Sequence, residues 1–437
     1  MFARFQGTQA ADSSGALVVG GLSAEHLASS FGTPLYVVDA AEVRARCREF
    51  RSAVEPFAGR VAYAAKANPA IGVLQLVREH GCDIDAASEG ELEAAMRAGF
   101  PAESIHLHGN AKSDHELRRA VEVGVRAVII DSLDEIPRLA RVCSEAGRKQ
   151  HALLRLAPGV DPVTHQAIRT GQEDSKFGLN IASGAAFEAA ERIRAEPSLA
   201  LVGVHVHVGS QLVDAEAIAE SARRAAEFAI TARGAFDEVQ EVIAGGGFGI
   251  AYVTGDAPRP IRESVRRIEA AVRGEFDRAG LPMPTLTFEP GRYLVGTGGV
   301  TLYRVMVRKS VPVQSSTGVR TYLSVDGGMA DNPRPQMYGA KYTAMNASRL
   351  CEPHDTEFRV AGRHCETDTL ISDAMLPSNT EVGDLLCVQG TGAYNFAMAS
   401  NYNRYPRPAM VIVENSEARL IVRRETLEDL FRCEEAL

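Results

Sequence analysis

The chemistry-bearing residues of this chain stand at the ends of short apolar runs: Lys66, Asp85, His108 with Asn110, Asp131, Arg155, His205 with His207, Gly245 to Gly247, and Glu289. Lys66, in Tyr63-Ala64-Ala65-Lys66-Ala67-Asn68, ends a run where desolvation would lower an amine's pKa and favour its attack on a carbonyl; a rim lysine reaching solvent has the same spacing. His205 and His207 are two apart and so share one face of a strand. A metal pair or core histidines would look alike, but no further His or Cys stands near a strand end with ligand spacing, which argues against metal. Gly209-Ser210-Gln211 follows with a bare N–H and a hydroxyl, suited to an anion. Gly245-Gly246-Gly247-Phe248-Gly249 exposes amides that can approach phosphate oxygens, or makes a plain tight turn. Glu289-Pro290-Gly291-Arg292 adds a carboxylate, a rigid turn and a guanidinium, a set also met in surface ion pairs.

An amine, a ring-sized histidine, a phosphate cradle and a carboxylate together meet the needs of pyridoxal phosphate. The amine would form the Schiff base, the glycine amides and Ser210 would hold the phosphate, and Glu289 would keep the pyridine nitrogen protonated so that the ring acts as an electron sink. Such groups cooperate only if the fold brings them to one mouth. Eight β-rich runs predict that fold: Val61 to Ala67, Asp83 to Ala87, Ser104 to Gly109, Ala127 to Ser132, His151 to Pro158, Leu201 to Gly209, Glu241 to Gly247 and Thr285 to Gly291. With seven intervening helical stretches, such as Glu89 to Ala98 and Asp114 to Val123, they match a closed (β/α)8 TIM-type barrel better than a doubly wound sheet, and barrels gather reactive groups at the C-terminal ends of their strands.

After residue 291 the pattern changes to β-branched runs divided by turns: Val300 to Val313, Thr321 to Asp326, Glu357 to Ala361, Asp384 to Val388, and Met410 to Val422 folded back at Glu414-Asn415-Ser416-Glu417. These predict an antiparallel β domain. The first 40 residues show little helical periodicity. The expected division is therefore a cofactor-binding barrel over 36–290, with 1–35 and 291–437 forming the β domain.

Composition excludes other classes. With 437 residues, 45% hydrophobic and 24% charged, the chain has ordinary globular usage. Lys plus Arg number 47 against 56 Asp plus Glu, for a net charge of −9, and no basic stripe offers a nucleic-acid surface. Apolar stretches fall well short of the ~20 residues of a membrane span, and the start lacks a basic region followed by an apolar one; a cytoplasmic location is expected. Seven cysteines from Cys47 to Cys433, without Cys-x-x-Cys, point to free thiols and no structural zinc.

Over nearly its whole length the chain resembles the alanine-racemase-fold (fold type III), pyridoxal-phosphate-dependent group IV decarboxylases. The resemblance runs through Gly32-Thr33-Pro34-Leu35-Tyr36, the Lys66 segment, His108-Gly109-Asn110-Ala111-Lys112-Ser113, Lys176-Phe177-Gly178-Leu179, His205-Val206-His207-Val208-Gly209-Ser210-Gln211, the Gly245 loop, Glu289-Pro290-Gly291-Arg292, Asp326-Gly327-Gly328-Met329, Arg334-Pro335, Cys365-Glu366 and Gly392-Ala393-Tyr394. It implies that Lys66 carries the cofactor, His207 stacks on its ring and Glu289 meets its nitrogen. Ser210, Gly245, Gly246, Gly247, Gly291, Arg292 and Tyr394 would hold the phosphate end. It also implies a homodimer with shared sites, in which Cys365 and Glu366 of one subunit complete the site of the other, with Cys365 as proton donor.

By itself Cys365 reads as an inert buried thiol; its setting in Gly362-Arg363-His364-Cys365-Glu366-Thr367-Asp368 overrides that. The implied reaction is decarboxylation of meso-2,6-diaminopimelate to L-lysine and CO2, the last step of lysine biosynthesis. Arg292 and Arg334 would meet the distal carboxylate, Glu366 the distal ammonium, with Tyr338 and Tyr394 beside them. The alternative is a basic amino-acid decarboxylase acting on ornithine, lysine or arginine. Thr367 replaces an expected serine, and Glu89 an expected glycine.

Overall fold

The computed structural model describes residues 5–160, 176–313 and 318–437. The chain forms two compact units, one of residues 46–250 with 257–293 and the other of residues 1–45, 251–256 and 294–437.

The first unit is a closed barrel of eight parallel strands: β1 (Arg60–Ala64), β2 (Asp83–Ala86), β3 (Ile105–Leu107), β4 (Ala127–Ile130), β5 (Gln150–Ala157), β6 (Leu199–His205), β7 (Glu241–Ile243) and β8 (Thr285–Phe288). Each pairs with the next, and β8 pairs back onto β1. All eight expected runs are strands. Most residues of these strands are buried, as barrel strands between a packed lumen and covering helices must be.

Local sequence sets the helix ends. Over Asp114–Val123, the Ser113 side chain accepts the Glu116 N–H while the Glu116 carboxylate accepts the Ser113 N–H, and Gly124 closes the helix at φ 77°. That is a capping box followed by a left-handed cap.

Side chains of β3 and β7, which are not neighbours in the sheet, can meet only across the lumen. His106 Nε2 lies 3.3 Å from Glu241 Oε2, Arg126 Nε lies 3.3 Å from the same oxygen, and Thr287 of β8 donates to Oε1. Burial pushes the Glu241 pKa up, but His106, Arg126 and Thr287 outweigh it and hold the carboxyl at about 2.

The second unit is built on a sheet in the order Thr369–Leu376, Thr356–Ala361, Val319–Val325, Gly299–Pro312, Leu35–Asp39, Ala409–Glu414, Glu417–Val422. Leu385–Gln389 also pairs with Gly299–Pro312 and carries Ala344–Asn346. The pairing is antiparallel except between Val319–Val325 and Thr356–Ala361 and between Leu35–Asp39 and Ala409–Glu414. The boundary drawn at residue 36 falls inside the strand Leu35–Asp39, whose fully buried residues belong to this sheet.

Several short elements escape the sequence pattern, a helix and a strand of the second unit among them. Ala24–Phe31 is a two-turn helix started by Ser23, too short for its periodicity to register. Thr369–Leu376 pairs with Thr356–Ala361 through two register shifts, and a strand bent by bulges loses strict alternation.

The lumenal carboxylate yields a prediction. Glu241→Ala leaves His106 and Arg126 without their acceptor and should cost about 3–5 kcal/mol. Because the folded pKa of Glu241 lies below the ordinary 4.5, its contribution is present above that pH and lost as pH falls toward 2. Urea midpoints of wild type and Glu241→Gln should therefore converge between pH 6 and pH 3; a constant gap would show that the charge contributes nothing.

Candidate active site

One layer above Glu241, at the C-terminal ends of the strands, a second carboxylate crosses the lumen. Glu289 follows β8 and is 5% exposed. Its Oε1 lies 3.0 Å from His108 Nε2 and its Oε2 2.9 Å from His205 Nε2. The two imidazoles pack edge to face with centroids 4.4 Å apart. His106 and His108 are two apart and point to the same side, so β3 supplies one imidazole to each carboxylate layer.

Burial pushes the Glu289 carboxyl up, but His205 and His108 outweigh it and keep it well below the ordinary range. The carboxylate is acceptor-only, so each Nε2 must carry the proton. Burial in turn drives the His108 pKa well below its usual value, and that of His205 below it. The arrangement is an anion held by two neutral donors. His108, His205 and Glu289 together have metal-ligating geometry, with ligand atoms within 4.8 Å of one another. Ligand spacing that is absent from the local sequence around His205 therefore arises across the barrel, where the end of β3 brings in His108. Both Nε2 atoms are nonetheless committed as donors to Glu289.

Asp85, at the end of β2, has Oδ1 3.4 Å from His108 Nε2. Burial raises its pKa well above the usual range, Glu289 adds to the rise, and the Lys66 charge opposes it. Lys66 lies in the single turn Ala65–Ala67 directly after β1 and is exposed. The desolvation expected of it is thus not supplied by the polypeptide. Burial also lowers the His207 pKa well below its usual value, with Lys66 adding to the effect; His207 Nδ1 accepts the Gly246 N–H at 3.2 Å. Arg155 lies 3.6 Å from Asp131 and sits over the Phe177 ring at 4.5 Å. Lys112 is buried on Glu135 at 2.8 Å and on the carbonyls of Gly109 and Ile129, a structural role.

The glycine loop is shaped by close approach. A Cβ at Gly245, where φ is 74°, would lie 2.3 Å from the Val206 carbonyl, and one at Gly246 would lie 2.1 Å from that of Glu289. The loop therefore presses against the segments that carry His207 and Glu289, and no other residue type fits. Beside it, buried Arg292 donates to Ser210 Oγ at 3.0 Å. Gly291 has the same constraint, since a Cβ there would lie 2.9 Å from Ala67.

The other expected residues lie in the second unit. Arg334, 6% exposed, begins the short helix Arg334–Tyr338, with its guanidinium 5.4 Å from the Tyr338 ring and 5.5 Å from that of Tyr394. Its buried Nε has no hydrogen-bond partner among the described residues, an unsatisfied donor that a carboxylate would complete. Cys365 and Glu366 stand exposed on the turn between Thr356–Ala361 and Thr369–Leu376. The thiol is free and exposed, against the reading of the isolated residue as buried.

Residues 40–296 match the family described as "Pyridoxal-dependent decarboxylase, pyridoxal binding domain". The chain is 45% identical over 432 residues to the diaminopimelate decarboxylase of Bacillus subtilis (strain 168), covering 98% of this chain and 97% of that protein. It is 42% identical over 429 residues to the diaminopimelate decarboxylase of Mycobacterium tuberculosis (strain H37Rv), covering 97% and 96%. The chain belongs to the diaminopimelate decarboxylase family. It is a carboxy-lyase of the pyridoxal-dependent class.

The solved diaminopimelate decarboxylase of M. jannaschii in co-complex with L-lysine superposes with a TM-score of 0.91 at 32% identity, covering 98% of each chain. The lysine/ornithine decarboxylase of Vibrio vulnificus complexed with putrescine gives 0.73 at 22% identity, a likeness of fold alone. Within the family frame, His108 and Asp85 are the site residues to which the sequence reading assigned no part. Their position at strand ends was visible, but their convergence on Glu289 depends on strand order around the barrel.

Since burial lowers both imidazole pKa values below the ordinary 6.5, His108 and His205 should be neutral Nε2–H tautomers at pH 7. Imidazole 15N shifts in the cofactor-free protein would check this; a protonated ring at pH 7 in either residue would contradict the assignment.

Proposed function

We propose that the chain catalyses pyridoxal-phosphate-dependent decarboxylation of meso-2,6-diaminopimelate to L-lysine and CO2, as a homodimer with shared active sites. The observation that carries the reading is the anionic Glu289 between His108 and His205 in a barrel mouth that also holds Lys66, Ser210 and Arg292. This donor set fits the cofactor: a primary amine for its aldehyde, a carboxylate for its basic ring nitrogen, and a hydroxyl, a guanidinium and glycine amides for its phosphate.

When bound, pyridoxal phosphate supplies an electron sink for the pair left behind when CO2 departs. Lys66 would hold it through its amine, and the neutral His207 would bind its ring. Glu289 keeps a proton on the pyridine nitrogen, a task that needs the carboxylate ionised, and the two histidine N–H groups secure that state. Ser210, Arg292, Gly291, the Gly245–Gly247 loop and Tyr394 bind the phosphate end.

Arg334 offers an unsatisfied donor between two tyrosines, suited to a second carboxylate on the substrate. Tyr338 and Tyr394 orient it, and Glu366 of the partner subunit accepts hydrogen bonds from the distal ammonium. The partner's Cys365 holds the proton taken by the α-carbon once the carboxylate has left. The names of the relatives and the L-lysine complex of the M. jannaschii enzyme support this substrate.

Subunit sharing can be tested by mixing. Cys365→Ala and Lys66→Ala, each inactive or nearly so, should recover about a quarter of wild-type activity after random exchange, since half the dimers are mixed and each carries one intact site. Verified exchange without recovery would place Cys365 in its own subunit's site.

Specificity is tested by measuring CO2 release from meso-diaminopimelate, lysine and ornithine. Arg334→Ala should lower kcat/KM for diaminopimelate by at least about tenfold, because a charge-assisted bidentate contact contributes roughly 1.5–3 kcal/mol. The other two substrates, lacking a distal carboxylate, should lose much less. A wild type preferring lysine or ornithine, or an equal loss on all three, would favour a general basic amino-acid decarboxylase.

A further inference from the structure

The turn that carries Cys365 and Glu366 is exposed, yet it is anchored from beneath by a buried pair. His364 Nδ1 lies 2.6 Å from Asp368 Oδ2, which also accepts the His364 N–H at 3.3 Å. The other oxygen of Asp368 accepts the Met329 N–H at 2.7 Å. Both side chains are almost fully buried, at 1% and 2%. Asp368 adopts φ 27°, a backbone state rarely taken by a residue with a Cβ, and its main-chain carbonyl accepts the Gly362 N–H at 2.7 Å.

The surroundings leave no space for slack. A Cβ at Gly362 or Gly328 would lie 1.9 or 2.1 Å from Asp368 Oδ2. The His364 ring stacks on Tyr402 at 6.0 Å and meets Tyr405 edge-on at 5.3 Å. Arg363 lies over the Tyr405 ring at 3.5 Å and donates to the Asp326 carbonyl at 2.9 Å. The segment holding Tyr402 then reaches back to the turn itself: Asn403 Oδ1 accepts the Cys365 N–H at 3.0 Å, and Tyr402 Oη donates to Glu366 at 2.5 Å.

We propose that His364 and Asp368 are positioning residues that fix the Cys365–Glu366 turn, setting where the thiol and the Glu366 carboxylate stand. The proposal rests on the reading of Cys365 as proton donor. An exposed turn would otherwise sample many conformations, and a misplacement of about 1 Å in a reacting group can cost about a hundredfold. The pair acts from below the turn, with Nδ1 as the atom that matters. This makes two amide substitutions informative: the side-chain nitrogen of Asn coincides with imidazole Nδ1, whereas that of Gln coincides with Nε2.

In the holoenzyme, His364→Gln should lower kcat at least about tenfold, while His364→Asn should recover most of that loss. Equal effects of the two overturn the proposal. In a cycle with Cys365→Ala, His364→Gln should add little to the slow rate of Cys365→Ala, because residues acting as a unit are non-additive; fully additive losses overturn it.

A second readout does not depend on turnover. In the cofactor-free protein, peptide-resolved alkylation of Cys365, referenced to exposed Cys351, should accelerate at least about threefold in His364→Gln and in Asp368→Asn as the turn loosens; an unchanged ratio in both overturns the proposal. If Cys365→Ala keeps near-wild-type turnover, the proton-donor reading fails separately, and the alkylation ratio still decides whether the pair holds the turn.

Discussion

A carboxylate inside a barrel lumen is costly unless donors surround it. The barrel solves that problem twice, with Glu241 held by His106, Arg126 and Thr287 and, one layer higher, Glu289 held by His108 and His205. Because β3 supplies a histidine to each layer, its register ties the packing of the lower lumen to the electrostatics of the upper mouth. The lower layer has the Arg126 charge beside it and serves stability. The upper layer holds Glu289 as an anion between two imidazole donors.

The glycines follow from the same crowding. With His207, Glu289 and the loop after β7 converging on one point, backbones approach within distances that exclude any Cβ at Gly245, Gly246 or Gly291. The tight turn of this loop therefore has a physical cause in that close approach. The turn is tight because the strand ends crowd, and crowding is what directs the amides. His207 benefits directly, since the Gly246 N–H fixes which of its nitrogens carries the proton.

In the second unit the balance between exposed and buried is reversed. The chemically interesting groups, Cys365 and Glu366, are exposed, while the residues that define them are buried one position before and two after, at His364 and Asp368. Arg334 shows another solution: its guanidinium is buried near two tyrosine rings, with Nε lacking a partner among the described residues.

How much was legible in the sequence depended on whether a feature is local. The eight strands, the helix Asp114–Val123, and Lys66, His207 and Glu289 at strand ends could be read because period and turn residues act over a few positions. The helix Ala24–Phe31 and the bulged strand Thr369–Leu376 could not, being too short or too irregular to carry a period. Nor could the partners of Leu35–Asp39, which lie 261–267 residues away in Gly299–Pro312 and 374 residues away in Ala409–Glu414. The sequence by itself determined the barrel, its order of strands and the residues available to one mouth. Only the tertiary structure decided that His108 and Asp85 join Glu289, that Lys66 stays exposed, and that His364 and Asp368 lock the Cys365 turn. Those are contacts between residues distant in the sheet or on opposite sides of a turn, which closure of the barrel and close packing bring together and no local pattern encodes.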